Sequence, residues 1–156
     1  MSDSIVVFAR MLARAYRYED AEQEIISHSL LEITNTTFWD VMFQIMKDNE
    51  IHKKMLEQMV EVIRVNLEEF REYSTRNIEV PVFDFSENLL VEVLNELLKY
   101  EHWAKNYYEH MLDLIDPMLS KEIDGESLER VRKTLKELAE WEKMHVKKIS
   151  DLMGKI

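Results

Sequence analysis

The stretch YSTRNIEVPVFDF, residues 73–85, interrupts an otherwise helical pattern. Pro81 drives Val80 toward extended geometry, and β-branched and aromatic residues alternate with polar ones, so the spacing predicts an extended connector rather than a tight turn. On its N-terminal side, Ile5, Phe8, Leu12, Ala15, Ile26, Leu30 and Ile33 recur at three- and four-residue spacing and predict a first helix from Asp3 to Ile33. Asn35, Thr36 and Thr37 form a cap cluster, with Thr37 and Asp40 spaced as a capping box. A second helix is expected from Phe38 to Phe70, on Met42, Ile45, Leu56, Met59 and Ile63. Beyond the connector, Asp84 followed by Glu87 reads as the cap of a third helix, from Ser86 to Ile115, with Leu90, Leu94, Leu97, Tyr108, Leu112 and Ile115 on one face. Pro117 ends it, and residues 117–126, which include Gly125, read as a loop. A fourth helix runs from Ser127 to Met153 on Leu128, Val131, Leu135, Leu138, Ile149 and Leu152. About 15–17 extended residues reach ~50–56 Å at ~3.3 Å each, enough to return along a bundle of such helices. The expected fold is all-α: one domain, residues 1–156, built as a four-helix bundle with a long crossover between helices 2 and 3.

Composition agrees with this reading. Two Gly and two Pro in 156 residues leave too few turn formers for a sheet protein. Charged residues at 33% with 46% hydrophobic suit amphipathic helices. Lys and Arg number 20 against 31 Asp and Glu, a net charge of −11, which argues against nucleic acid and anionic membrane as partners. The absence of cysteine removes disulfides, thiolate metal sites, iron–sulfur clusters and thiol catalysis together. No apolar run is long enough to span a bilayer, and Arg10 and Arg14 interrupt any secretory h-region, so the expected location is the cytoplasm.

Each apolar stripe has a gap at its midpoint, and unusual residues fill the gaps at core phase. They are Glu19 and Glu22 in the first helix, Asn49 and His52 in the second, Glu101 and Ala104 in the third, and Glu142 and His145 in the fourth. At ~1.5 Å rise per residue the four sets fall at one level of a bundle. Removing a carboxylate from water costs several kcal/mol, and converging carboxylates repel one another. Two divalent cations would offset both effects. Oxygen and imidazole ligands suit iron, with manganese or zinc as the alternatives. In Glu142-x-x-His145 the i and i+3 positions share a helix face, so both side chains can reach one ion.

These segments resemble the ferritin-like superfamily, and within it the rubrerythrin-type di-iron domains. AEWEKMHVKKISDL (139–152) is similar to the family's fourth-helix motif, KYEHWAKNYYEHML (99–112) to its third helix, and MKDNEIHKKMLEQM (46–59) occupies the place of the second-helix motif. Hydrophobic phase aligns the first helix with the third through Glu19 and Glu101, and His52 matches His145, so the chain reads as a duplicated helix pair. The resemblance implies a site of Glu19, Glu22, Asn49, His52, Glu101, Glu142 and His145, with Glu101 and Glu142 carrying charge and His52 and His145 each capping one of two irons. Asn49 stands where the family carries glutamate, which removes one negative charge, and Glu22 can restore it. Tyr108, one turn from Ala104, is the candidate hydrogen-bond partner or electron donor.

The implied function is binding of iron with oxidation of Fe(II) or reduction of dioxygen or peroxide. The alternatives are a non-catalytic interaction bundle with a degenerate metal site and a ferritin-like hydroxylase. Without a rubredoxin segment, a separate electron-donor protein would be required, and a homodimer is the expected assembly. His28, His102 and His110 fall off the core phase and read as surface residues, while the ten methionines read as core filler. Trp39, Trp103 and Trp141 read as packing or interface residues.

Overall fold

The computed structural model describes residues 2–80 and 90–156, and every regular element among them is α-helical. The elements are α1 (Asp3–Leu30), α2 (Thr36–Val62), α3 (Leu67–Arg76), α4 (Leu90–Leu119) and α5 (Gly125–Met153). Among the described residues no helix is long and apolar enough to cross a membrane.

Local chemistry sets the boundaries. Ser2, Asn35, Asn66 and Asp124 cap α1, α2, α3 and α5, each side chain accepting from a backbone N–H three residues on. The cap of α2 is therefore Asn35 and not Thr37, which lies inside the helix. The first helix stops at Leu30, short of Ile33, and Leu31 is exposed.

The expected second helix is two helices. Val65 N–H bonds the Val60 carbonyl at 3.1 Å and Arg64 N–H bonds that of Glu61 at 3.0 Å, which is the Schellman pattern of a helix end. Arg64 takes the required left-handed backbone, at φ 61°. The signal was hidden because glycine or asparagine normally occupies that position. Asn66 then restarts the chain as α3, whose Phe70 packs edge-to-face on Tyr16 at 5.4 Å.

Residues 73–76 consequently belong to α3 rather than to the extended connector, and residues 81–85 lie outside the described residues. The expected cap at Asp84 and the helix start at Ser86 lie outside them too. Pro117 does not end its helix. It sits in the last turn of α4, and the helix continues past it to Leu119. Gly125 opens α5 behind its Asp124 cap instead of lying in a loop.

The four long helices pack α1 on α2 and α4, and α5 on α2 and α4, with α3 against α1 and α2. Cross-helix contacts give the directions. Tyr107 Oη donates to the Met11 carbonyl and Tyr18 packs on Tyr100, so α1 and α4 are antiparallel. Tyr16 bonds Glu57 while Gln23 bonds Glu50, so α1 and α2 are also antiparallel. Thus α2 and α4 run in the same sense.

Two apolar clusters fill the interior. One contains Phe8, Leu12, Leu56, Met111, Ile115 and Leu135; the other contains Ile26, Met42, Ile45, Leu94, Leu97 and Ile149. Between them lies a buried polar layer: Glu19, Glu22, Asp48, Asn49, His52, Glu101, Glu142 and His145.

Candidate metal centre

Each long helix contributes to this layer at the gap in its apolar stripe. In α1, Leu12 and Ala15 lie before Glu19, and Ile26 follows Glu22. In α5, Leu135 and Leu138 lie before Glu142, and Ile149 follows His145. The helical repeat that buries the apolar neighbours buries the polar residues with them. All seven residues proposed from sequence as metal ligands are less than 5% exposed. His28, His102 and His110 are exposed.

Two groups of ligand-type atoms each fall within 4.8 Å of one another: Glu19 with His52 and Glu142, and Glu101 with Glu142 and His145. Glu142 belongs to both. His52 Nδ1 lies 3.2 Å from Glu19 Oε1 and 2.7 Å from Glu142 Oε1, the second an ion-pair approach without hydrogen-bond alignment. His145 Nδ1 lies 3.3 Å from Glu101 Oε2 and 3.6 Å from Glu142 Oε2. The two imidazoles stack with centroids 5.5 Å apart.

Asn49 is part of the layer in an unexpected way. Its side-chain amide donates to Glu22 Oε1 at 2.6 Å, and Glu22 lies beside Glu101. Both Glu19 and Glu22 are buried in the layer. Tyr108 Oη donates to Glu19 Oε1 at 2.9 Å.

The electrostatics describe a frustrated cluster. Burial raises Glu19 to about 8, with the Glu142 charge adding to the effect and His52 opposing it. Burial and the Glu142 and Glu22 charges push Glu101 well above the usual carboxylate range, and burial raises Glu22 as well. For Glu142 burial acts upward, but the neighbouring Glu101, His145 and His52 outweigh it and hold this carboxyl well below its ordinary value. Burial acts downward on His52, yet Glu19 and Glu142 hold it at about 10. In the same way, Asp48 and Glu142 overcome burial and hold His145 at about 9.

Several buried atoms meet no hydrogen-bond partner among the described residues: Glu22 Oε2, Asn49 Oδ1, His52 Nε2, Glu101 Oε1 and Glu142 Oε1. Native interiors rarely tolerate such atoms without water or an ion to satisfy them. Four of the five are oxygens in a layer of mutually repelling carboxylates, a donor set for hard or intermediate divalent cations.

Asp48 was not singled out by the sequence. It is 3% exposed, accepts from His145 Nε2 at 2.9 Å and from Gln44 Nε2 at 2.9 Å, and lies beside Trp141. The available signal was its position one turn before His52 and one residue before Asn49. Trp141 packs as expected, but against His52, edge-to-face at 4.7 Å. Comparison with family models, curated proteins and solved structures gave no match to this chain.

Proposed function

We propose that this chain is a ferritin-like, rubrerythrin-type four-helix bundle that binds two iron ions in its polar layer. In this reading it oxidises Fe(II) or reduces dioxygen or peroxide, with manganese or zinc as alternative occupants. The observation that carries the reading is the pair of ligand groups, each with one histidine, meeting at Glu142. The shared direction of α2 and α4 supports the crossover topology, because a chain leaving the end of α2 must travel back along the helices before α4 begins.

Glu19, His52 and Glu142 would hold one ion, and Glu101, Glu142 and His145 the other, with Glu142 as the bridge. Bound iron supplies reversible one-electron chemistry toward dioxygen or hydrogen peroxide. The protein residues bind, orient and move protons. Both histidines must surrender a proton from Nδ1 to become ligands, and the raised carboxyls of Glu19 and Glu101 must ionise, so loading releases protons. Tyr108 orients Glu19 through its hydroxyl. The two apolar clusters on either side exclude water from the layer. Electrons for repeated turnover would come from a separate protein, and a homodimer remains the expected assembly.

A second reading, a non-catalytic interaction bundle, is favoured by Asn49, which replaces a bridging carboxylate with a neutral amide. Metal analysis of protein expressed with iron separates the two, together with ferrous oxidation assays. The first reading expects about two equivalents per chain, consistent with two groups of ligands, and oxidation above background. Less than about half an equivalent of any metal, with no oxidation, selects the second.

A further inference from the structure

The polar layer is not symmetric, although the helix pairs that build it match in sequence. Asp48 stands four residues before His52, and Trp141 stands four residues before His145. Each lies against the opposite histidine: Asp48 against His145, and Trp141 against His52. At matched positions, therefore, one imidazole is backed by a buried carboxylate and the other by an indole ring.

The consequence for the two imidazoles differs. Asp48 Oδ2 accepts from His145 Nε2 at 2.9 Å, which keeps the proton on Nε2 and directs the Nδ1 lone pair at Glu101 and Glu142. Gln44 fixes Asp48 in turn. His52 presents Nδ1 to Glu19 and Glu142, but its buried Nε2 has no partner among the described residues. A carboxylate behind a metal-binding imidazole raises ligand basicity and fixes the ring, and losing it typically costs about 10–100-fold in metal affinity.

Carboxylate placement tilts the layer the same way. Glu22 lies beside Glu101, which puts a further carboxylate next to the Glu101, Glu142 and His145 group. The matching position on α4 is Ala104, which adds nothing to the Glu19, Glu142 and His52 group.

We infer that the two metal positions are unequal: the position at His145 fills first and holds its ion more tightly than the position at His52, and Asp48 sets much of that difference. This rests on the two-metal reading given above. Its consequence is a chain that holds one resident ion while the second position exchanges.

Anaerobic Mn(II) titration, with free Mn(II) followed by electron paramagnetic resonance and heat by calorimetry, tests the order without any activity assay. The wild-type protein should bind in two events whose dissociation constants differ about 10-fold or more. His52→Ala should keep the tight event and lose the weak one, and His145→Ala should do the reverse. Asp48→Asn should weaken the tight event about 10–100-fold at unchanged stoichiometry. Should that variant not fold, Trp141→Asp, at a half-buried position, places a carboxylate beside His52 and should bring the weak event to within about 3-fold of the tight one. Two equal events in the wild type, retention of the tight event in His145→Ala, or an unmoved tight event in Asp48→Asn would overturn the order and leave the two-metal reading intact. No binding by the wild type would overturn both.

Discussion

The apolar clusters and the polar layer between them are built by the same helices at the same phase, yet their energetic signs are opposite. In the apolar clusters, Phe8, Leu12, Ile115 and Leu135 are fully buried, and each stabilises the fold by leaving water. In the polar layer, Glu101 and Glu142 are as deeply buried, but burial disfavours their charge and some of their oxygens lack donors. The apolar clusters explain why the protein folds. The polar layer lowers that stability.

Substitutions in the two regions should therefore move stability in opposite directions. The largest change is expected in the apolar cluster, where Phe8→Ala should cost about 3–5 kcal/mol in denaturant unfolding, with or without added metal. In the polar layer, Glu101→Leu removes a buried carboxyl with one unpartnered oxygen and should raise the stability of the metal-free protein by about 1–3 kcal/mol, while abolishing stabilisation by metal at the His145 position. A loss of stability in the metal-free variant would show that the polar layer supports the fold by itself.

The pH dependence separates the regions further, because the apolar clusters do not titrate. The folded protein keeps a proton on Glu19 up to about 8, and on His145 and His52 up to about 9 and 10. The unfolded chain releases these near the ordinary values, about 4.3 for Glu and 6.5 for His. The folded state thus binds more protons across that interval, so the stability of the metal-free protein should fall as pH rises from about 5 to 10. Metal already displaces those protons, so the loaded protein should lose far less over the same range. Thermal melts across pH with and without Mn(II) check this, and superimposable slopes would contradict it. The smallest effect is expected of Tyr108→Phe, which removes the bond to Glu19 and leaves the ring in its apolar cluster, at about 1 kcal/mol of metal-free stability.

Much of this division was legible from periodicity. The stripes of Leu12, Leu94 and Leu135 and the polar residues interrupting them at one level follow from helical phase, and all seven residues proposed as metal ligands lie in the buried layer. What phase could not reveal was a helix end without its usual residue. Arg64 in a left-handed conformation closes α2 where glycine would have been recognised, so α3 was read as a continuation. Asp48 was missed for a related reason. Its role depends on which histidine it faces across the helix pair, and sequence spacing places it nearer His52 than His145. Pro117 does not stop its helix, which runs on to Leu119.

The central claim, that the polar layer is there to bind two divalent metal ions, is tested most directly by an anaerobic Fe(II) titration followed by thermal unfolding of wild type and Glu142→Gln. The account predicts saturation near two equivalents, as the two groups require, and stabilisation approaching about 4 kcal/mol for each site whose dissociation constant free Fe(II) exceeds a thousandfold. Because Glu142 belongs to both groups, Glu142→Gln should lose most of that stabilisation. An unfolding temperature that Fe(II) leaves unchanged in the wild type, or raises equally in Glu142→Gln, would contradict the account.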